Sequence, residues 1–320
     1  MNWTEYILRG DRSPLGFKRL SKRSPRVQEF LGNHADLRVT AEAKSHGRPG
    51  QFVPSMADTG NRLSVYISFF FMDAMLSQVP DGKIGIVGSG QSFGTTLEGR
   101  IASGLRKLVE EHHLPFRVSA KGDPPEGARV SFKLTDYWPY FSPPSRVGEP
   151  GEQQMYRALG RGHLIQPDVI VWREREITFA RVQDGDVESF TYSAPQLFAC
   201  VSGKATIRSD RSQSSRYEGN ALVRWRRGRP PHIVVVTAEP FPSRLGSLAW
   251  GLGDLDCVYH VNVPALYQAV VRAEKECGRA SAKTAGSSDE LRDLIEHARL
   301  KDLSQLFDDL FADFLPKSPD

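Results

Sequence analysis

The sequence predicts an α/β fold in which the strands of a central sheet are flanked by helices. Three apolar runs read as core strands, over residues 168–172, 197–206 and 232–238. Two of these runs are rich in β-branched residues, as is usual in a sheet that is covered on both faces. A helix is predicted over residues 209–227, so the order is strand–strand–helix–strand, which is typical of an α/β sandwich.

The flanking helices are predicted from apolar periodicity on either side of these strands. Residues 62–77 read as a buried helix, and residues 88–91 as a loop. The segment 95–113 places its apolar residues on one stripe at helical spacing, with Glu98 at the edge of that stripe. Further amphipathic helices are predicted after the last strand, over residues 264–277 and 289–315.

A chain of 320 residues is long enough for one large domain or two ordinary ones, and an apolar content of 39% is enough to bury a sizeable core. We expect residues 1–320 to form a single domain. Residues 1–50 are basic, contain scattered Gly, Pro and Ser, and are predicted to form loops and short helices. Residues 120–152 contain many prolines and glycines with aromatic residues between them. Because the clear core strands follow this segment, we interpret it as a loop insertion rather than a linker.

The formal net charge is only +4, but positive charge is concentrated in two parts of the sequence. One cluster lies within residues 9–26 and the other within residues 208–229. From charge alone, each cluster is either a solvated face or a surface that contacts the phosphates of a nucleic acid.

Cysteine usage and hydropathy exclude several classes of protein. The three cysteines, Cys200, Cys257 and Cys277, show no C-x-x-C spacing, so we expect a reducing compartment and no zinc site. The N-terminal residues lack an apolar signal core, and the longest apolar run, residues 65–76, is too short to span a bilayer. We therefore expect a cytoplasmic protein without a membrane partner.

A few separated residues have the chemistry that phosphodiester hydrolysis needs. Carboxylates must hold Mg²⁺, and a cation should lie beside the scissile phosphate. Asp168 opens one predicted strand, while Ser202 and Lys204 share a face near the end of another. Glu218 lies on the following helix and Glu98 on an earlier one. If the two strands pair, these groups meet at one sheet edge; otherwise Asp168 caps a turn and Lys204 lies at the surface.

The run Arg208-Ser-Asp-Arg211 has the composition of a reader of G·C base pairs. Arginines at a strand end and helix start can bond bidentately to guanine O6 and N7, and Asp210 can accept from the cytosine N4 amino group. Two arginines with one aspartate suit a G·C-rich site. The alternative is a capped helix start with a local ion pair.

Several runs taken together resemble the NgoMIV family of restriction endonucleases. The strongest matches are residues 204–211, 218–224, 228–244 and 253–260, and weaker similarity covers residues 90–98, 167–171 and 299–303. The resemblance implies the PD-(D/E)XK nuclease fold, with a central mixed β-sheet flanked by helices. It also implies a type II restriction endonuclease that hydrolyses duplex DNA and requires Mg²⁺.

The resemblance implies an active site of unusual composition. In this family a serine replaces the acidic residue two positions before the lysine, and a glutamate from the following helix supplies the carboxylate. Ser202 and Glu218 hold these two positions here. By position, Asp168 would be the main metal ligand and Lys204 the cation that faces the phosphate. The other metal-facing groups would be Glu98 and the carbonyl of Gly203.

The resemblance also implies the DNA site and the partners. Arg208, Asp210 and Arg211 would read a CCGG core, and Arg244 and Gln91 match positions that contact the outer base pair. The implied site is GCCGGC, cut after the first G to leave 5′ overhangs. Several family members act as tetramers, so we expect a homo-oligomer, either a dimer or a tetramer. A cognate DNA methyltransferase is the expected functional partner.

This chain departs from the family pattern in places. The connection from Asp168 to Lys204 is shorter than in other members, and Gly60 stands where a serine would contact the outer base pair. Residues 1–50 and 120–152 show no match.

Two alternative functions stay open on sequence grounds. One is a catalytically inactive, sequence-specific DNA-binding protein of the same fold, which the occupied catalytic positions disfavour. The other is a structure-specific or nicking nuclease, which the G·C-reading run disfavours.

Overall fold

A computed structural model gives the arrangement of most of the predicted core. The residues that it describes are 42–45, 52–54, 56–58, 61–76, 85–86, 90–120, 167–183, 185–207, 209–225, 229–251, 253–277 and 287–315. Most of the predicted insertion at 120–152 lies outside them, because Ala120 is its only described residue. Within the described ranges, no helix has the length and hydropathy needed to cross a membrane.

A six-stranded mixed sheet forms the centre of the molecule. Its order is β4-β5-β6-β7-β8-β9; the pairs β4–β5 and β5–β6 are antiparallel, and the pairs β6–β7, β7–β8 and β8–β9 are parallel. The sheet confirms the predicted α/β class and the order strand–strand–helix–strand. The strands are β4 Arg117–Ala120, β5 Val169–Gln183, β6 Asp186–Lys204, β7 His232–Thr237, β8 Cys257–His260 and β9 Leu300–Asp302.

Seven described helices accompany this sheet, together with a 3₁₀ turn at Leu303–Gln305. They are α1 Arg62–Leu76, α2 Gly90–Glu111, α3 Ser209–Trp225, α4 Pro242–Ala249, α5 Val263–Cys277, α6 Ser288–Glu296 and α7 Leu306–Phe311.

Some predicted helix boundaries are wrong. Helix α2 begins at Gly90, so the predicted loop over residues 88–91 is wrong at its second half. The predicted helical stretch 289–315 is interrupted by strand β9, whose Leu300 and Asp302 are buried. Three residues are too few to establish a period of two, so the apolar pattern resembled a continuing helix.

Three short strands form a second sheet, with β1 Glu42–Ser45 between β2 Phe52–Pro54 and β3 Gly85–Ile86. The pairs β1–β2 and β1–β3 are antiparallel and parallel, respectively. The prediction that residues 1–50 form only loops and short helices is therefore wrong at residues 42–45. These strands have four residues or fewer, so their sequence carries little periodicity.

The core is centred on the middle strands of the large sheet. Val169, Val171, Val201 and Val235 are fully buried, as expected for β-branched strands that are covered on both faces. The apolar stripe of α2, which includes Ile101 and other fully buried residues, packs into the same core cluster. The ends of β5 and β6 are therefore held by a dense apolar environment rather than by flexible loops.

The long hairpin of β5 and β6 was not predicted. Pairing continues from the sheet to Gln183 and Asp186, a distance of roughly 35 Å beyond Trp172. Gly185 has φ +93° at the turn, a left-handed conformation that favours glycine. Val182 and Val187 lie opposite each other near the tip, and each is 71% exposed. Most of the hairpin side chains that the structure describes beyond Trp172 are exposed, so burial marks these positions only weakly in the sequence.

Candidate active site

The described ends of β5 and β6 bring Asp168 and Lys204 together. Asp168 directly precedes β5, and Lys204 is the last residue of β6. The antiparallel register pairs Val169 with Val201, so the two chain ends lie at one edge of the sheet. Lys204 Nζ is 2.5 Å from Asp168 Oδ2. The expected meeting of the two residues is confirmed, and the alternative of a surface Lys204 unrelated to Asp168 is wrong.

The Asp168 carboxylate is buried and receives several donors on one oxygen. Its Oδ2 accepts the backbone N–H of Gly203 at 3.1 Å and the hydroxyl of Ser202 at 3.3 Å, in addition to Lys204. Asp168 as a whole is only 6% exposed. A buried carboxylate needs such partners, since an unpaired charge in the interior is strongly unfavourable.

Ser202 connects the two halves of the site. Its Oγ lies 3.3 Å from Asp168 Oδ2 and 3.3 Å from Glu218 Oε2. A hydroxyl has one proton, so it donates to one of these carboxylates at a time. Glu218, although sixteen positions away in sequence, reaches the site from α3. The serine therefore holds the buried Asp168 carboxylate close to the half-buried carboxylate of Glu218.

Glu98 approaches the site from α2, across a glycine of β6. A Cβ placed on Gly203 would lie 2.9 Å from Glu98 Cγ and 3.6 Å from Ile101 Cδ1. Only glycine lets the helix lie this close to the strand without displacement of Glu98. The structure thus brings Glu98, Gly203, Asp168 and Lys204 to one edge of the sheet, as the sequence predicted.

Cys200 lies behind these charged groups and is fully buried on β6. Burial raises the pKa of its thiol well above the usual range, and the charges of Glu218 and Asp168 raise it further. Lys204 acts in the opposite direction. A thiol held in its neutral form is a poor nucleophile, so Cys200 packs behind the site rather than reacting in it.

Helix α3 is fixed in place by close packing directly beside Glu218. A Cβ on Gly219 would overlap the carbonyl oxygen of Asp254 and lie 3.1 Å from its carbonyl carbon. One turn earlier, the guanidinium of Arg216 donates to the backbone carbonyl of Ser247. The segment around residues 247–254 therefore sets the position of α3, and with it the position of the Glu218 carboxylate.

The chain that carries this arrangement is similar in sequence to a known restriction enzyme and its family. A sequence model of the NgoMIV restriction enzyme family matches residues 39–312. The type II restriction enzyme NgoMIV of Neisseria gonorrhoeae is 34% identical over 271 residues, which cover 79% of this chain and 88% of that protein.

The chain belongs to the NgoMIV restriction enzyme family. Membership confirms the resemblance, the PD-(D/E)XK class of fold and the prediction of a type II restriction endonuclease, which is a DNA-binding hydrolase.

The donor groups of this NgoMIV-family site suit a hard divalent cation only in part. Among the described residues, no three His, Cys, Asp or Glu side chains lie close enough to form a protein cage for a metal ion. Asp168 and Glu218 nevertheless share Ser202 as a hydrogen-bond donor. Because Mg²⁺ commonly uses one or two carboxylates together with water and substrate phosphates, these two oxygens fit such an ion.

The structure describes the residues predicted to read DNA bases less fully than it describes Asp168, Ser202, Lys204 and Glu218. Arg208 lies outside the described residues, and α3 begins at Ser209, so Asp210 and Arg211 lie in the first turn of that helix. Gln91 is the second residue of α2. The structure describes no side chain for Asp210, Arg211 or Gln91.

Arg244 is described in full, and two of its partners were missed by the sequence analysis. Its guanidinium forms an ion pair with Asp58, and its Nη1 lies 3.8 Å from Glu239 Oε2. It also lies over the ring of Phe241 at 5.3 Å. Asp58 precedes α1 by four residues and Glu239 follows β7 by two, so only the fold brings these acidic residues together.

Proposed function

We propose that the protein is a Mg²⁺-dependent type II restriction endonuclease that cuts duplex DNA at a palindrome with a CCGG core. The observation that supports this most strongly is the mutual contact of Asp168, Lys204, Ser202 and Glu218 at one edge of the sheet. We further propose the site GCCGGC, cut after the first G to leave 5′ overhangs. This finer assignment is supported by the family resemblance and by an arginine at position 244.

Asp168 and Glu218 would hold Mg²⁺, and Glu98 with the carbonyl of Gly203 would complete the site, partly through water. When bound, Mg²⁺ lowers the pKa of an attacking water and offsets the charge that develops on the scissile phosphate. The carboxylates of Asp168 and Glu218 both lie within hydrogen-bond distance of Ser202 Oγ. Carboxylate oxygens are the hard ligands that a divalent cation such as Mg²⁺ prefers, which supports this assignment.

The side chains of the chain itself orient and stabilise the reacting groups. The Lys204 ammonium, held 2.5 Å from Asp168, would face the scissile phosphate and stabilise the charge that builds on it. Ser202 is 4% exposed and is engaged with two carboxylates, so we assign it to positioning rather than to nucleophilic attack. The proposed reaction is direct attack of water on phosphorus, without a covalent enzyme intermediate.

For sequence recognition, we assign the CCGG core to Arg208, Asp210 and Arg211. The first turn of α3 directly follows the β6 strand that carries Lys204, so base reading and cleavage would be linked by a few residues of chain. We assign the outer base pair to Arg244 and Gln91.

Replacing Arg208 with alanine is expected to relax specificity within the CCGG core. A bidentate arginine–guanine contact contributes roughly 1–3 kcal/mol of discrimination against the wrong base pair. The measurement is the ratio of kcat/KM for duplexes with CCGG and with a single core substitution. Arg173→Ala is the control, because this arginine lies at the base of the β5–β6 hairpin, over the ring of Phe116 at 5.8 Å. An unchanged ratio in the Arg208 variant would refute its assignment as a reader.

We also propose that the active form is a homo-oligomer. A palindrome is read by two copies of one reader related by twofold symmetry, which requires at least a dimer. Val182 and Val187, which pair near the tip of the hairpin and are each 71% exposed, would offer an apolar contact point for a second copy. A cognate DNA methyltransferase is the proposed functional partner, since it would protect the CCGG sites of the same cell.

Metal removal tests the proposed function. The purified chain is incubated with a GCCGGC duplex and with a duplex of the same composition in scrambled order, with Mg²⁺ or with a chelator. Cleavage of the first duplex alone, abolished by the chelator and restored by excess Mg²⁺, is expected. Specific binding without cleavage would support the inactive DNA-binding alternative, and cleavage of both duplexes would support the structure-specific nuclease.

A further inference from the structure

Glu239 is a fully buried carboxylate to which the proposed reaction gives no role. It follows β7 by two residues and is 0% exposed. Its own N–H donates to Thr237 Oγ1 at 3.1 Å, so the local backbone is also fixed. A buried acidic group is unfavourable for folding unless its partners compensate for the lost hydration. The identity of those partners therefore indicates what the residue does.

The two oxygens of Glu239 are bonded to two different chain segments. Oε2 accepts the backbone N–H of Ile207 at 2.7 Å, and Oε1 accepts the backbone N–H of Phe241 at 3.1 Å. The segments are also joined directly, because Ala238 N donates to Ala205 O at 3.3 Å. Glu239 thus crosslinks the chain that leads into α3 and the chain that leads into α4.

Each of these segments leads directly into a proposed base reader. Ile207 immediately precedes residues 208–211, the proposed readers of the CCGG core. Phe241 is the N-cap of α4, and Arg244 N donates to Phe241 O at 3.1 Å. The Arg244 guanidinium returns to within 3.8 Å of Glu239 Oε2. The Glu239 carboxylate therefore contacts the backbone at Ile207, just before the CCGG-reading segment, and at Phe241, where the helix that carries Arg244 begins.

We propose that Glu239 is a positioning residue for DNA specificity, which holds the CCGG-reading segment and Arg244 in a fixed relation to each other. The proposal rests on the proposed function, since it takes residues 208–211 and Arg244 to be readers. Because Glu239 is fully buried, it acts through the groups that it holds and not by contact with DNA. Its loss is expected to change which sequences are cut more than how much protein folds.

Because Glu239 can lose or gain its charge, the pH dependence of sequence discrimination distinguishes a positioning role from a purely structural one. Burial raises its pKa to about 7, and Arg244 on α4 opposes this shift while Asp58 adds to it. His260 on β8 stays neutral near pH 7, because burial lowers its pKa to about 4. As pH falls below about 7, protonation of Glu239 removes the negative charge that faces Arg244. Discrimination at the outer base pair should then fall.

Protonation of Glu239 has the opposite effect on folding stability from its effect on discrimination, so the two effects can be told apart. The folded state binds the proton of Glu239 more tightly than the unfolded state, whose carboxyl pKa is near 4.5. The contribution of this group to stability is therefore largest at low pH, and it is lost as pH rises through about 7. Weaker discrimination on acidification thus cannot come from unfolding caused by Glu239.

The test compares kcat/KM on GCCGGC and ACCGGT duplexes from about pH 6 to about pH 8, for wild type and Glu239→Gln. Glutamine offers one acceptor oxygen, so one of the two N–H groups faces an amide donor instead. The GCCGGC preference is expected to fall about tenfold in the variant and to lose its pH dependence. In wild type the preference should decline on acidification, and the ratio cancels pH effects common to both substrates.

Asp302→Asn is the matched control. Asp302 is 7% exposed and accepts the backbone N–H groups of Val263 at 2.9 Å and Ser304 at 3.0 Å, away from either reading segment. This control should lose stability and keep the GCCGGC preference. An unchanged preference in Glu239→Gln, an equal change in the control, or a wild-type preference independent of pH would each overturn the inference. If wild type shows no preference for CCGG duplexes at all, the proposed function fails and the inference falls with it.

Discussion

Asp168→Asn is expected to bind GCCGGC duplexes normally and to cut them at least about 10³-fold more slowly than wild type. Asparagine keeps the size of the side chain and one acceptor oxygen, so the N–H of Gly203 can retain its bond. It removes the negative charge that would hold Mg²⁺ and that pairs with Lys204 at 2.5 Å. A loss of about 4 kcal/mol of transition-state stabilisation corresponds to this factor.

The measurement is single-turnover cleavage together with equilibrium binding of the same duplex. Asp256→Asn is the control, because Asp256 also accepts a backbone N–H in this sheet, that of Ile233 at 2.7 Å, away from the site. This control should cut normally. Cleavage at a wild-type rate by a preparation of Asp168→Asn free of wild-type enzyme would remove Asp168 from the mechanism.

Gly219→Ala is expected to impair cleavage through the position of α3, although it changes no reacting group. The added methyl group would overlap the carbonyl oxygen of Asp254, and backbone cannot move aside as a flexible side chain can. Overpacking of this kind destabilises a protein by about 1–3 kcal/mol. The strain falls beside Glu218 and on the helix that carries Asp210 and Arg211, so cleavage should fall by a larger factor than the change in folded fraction explains.

Gly99→Ala provides the matched control, since Gly99 is also helical but has no atom within 4 Å of its added Cβ. Alanine there should leave cleavage unchanged and stabilise the protein by about 1 kcal/mol, because it favours the helix over the unfolded chain. Urea unfolding and cleavage rates are measured for both variants. Equal behaviour of the two would show that the packing of α3 on Asp254 does not set the position of Glu218.

The sequence was sufficient to predict the core and the meeting of Asp168 with Lys204 for one physical reason. Buried strands leave a strong signal of β-branched residues, and β5 and β7 carried it. Once β5 and β6 were placed beside each other, Asp168 and Lys204 had to meet at one edge. The family resemblance then identified Glu218, whose contact with Ser202 depends on how α3 packs and not on its spacing in sequence.

Other features could not be predicted because they leave no local pattern. Most of the described side chains of the β5–β6 hairpin beyond Trp172 are exposed, so burial marks these strands only weakly in the sequence. Strand β9 is too short to show a period. Glu239 looks like an ordinary surface residue between a strand and a proline, and its burial follows only from the approach of Ile207 and Phe241. Long-range packing decides such positions.

Sequencing the ends of digested DNA is the most direct test of the proposed activity. A plasmid that carries two GCCGGC sites and several other CCGG sites is incubated with the purified protein and Mg²⁺, and the new ends are sequenced. We expect Mg²⁺-dependent cuts at GCCGGC, after the first G, with 5′ overhangs. Cuts at every CCGG would agree with CCGG as the core of the recognition site and refute the proposed recognition of an outer G·C base pair. An uncut plasmid that still binds the protein at CCGG would contradict the assignment of Asp168, Lys204 and Glu218 as a working catalytic site.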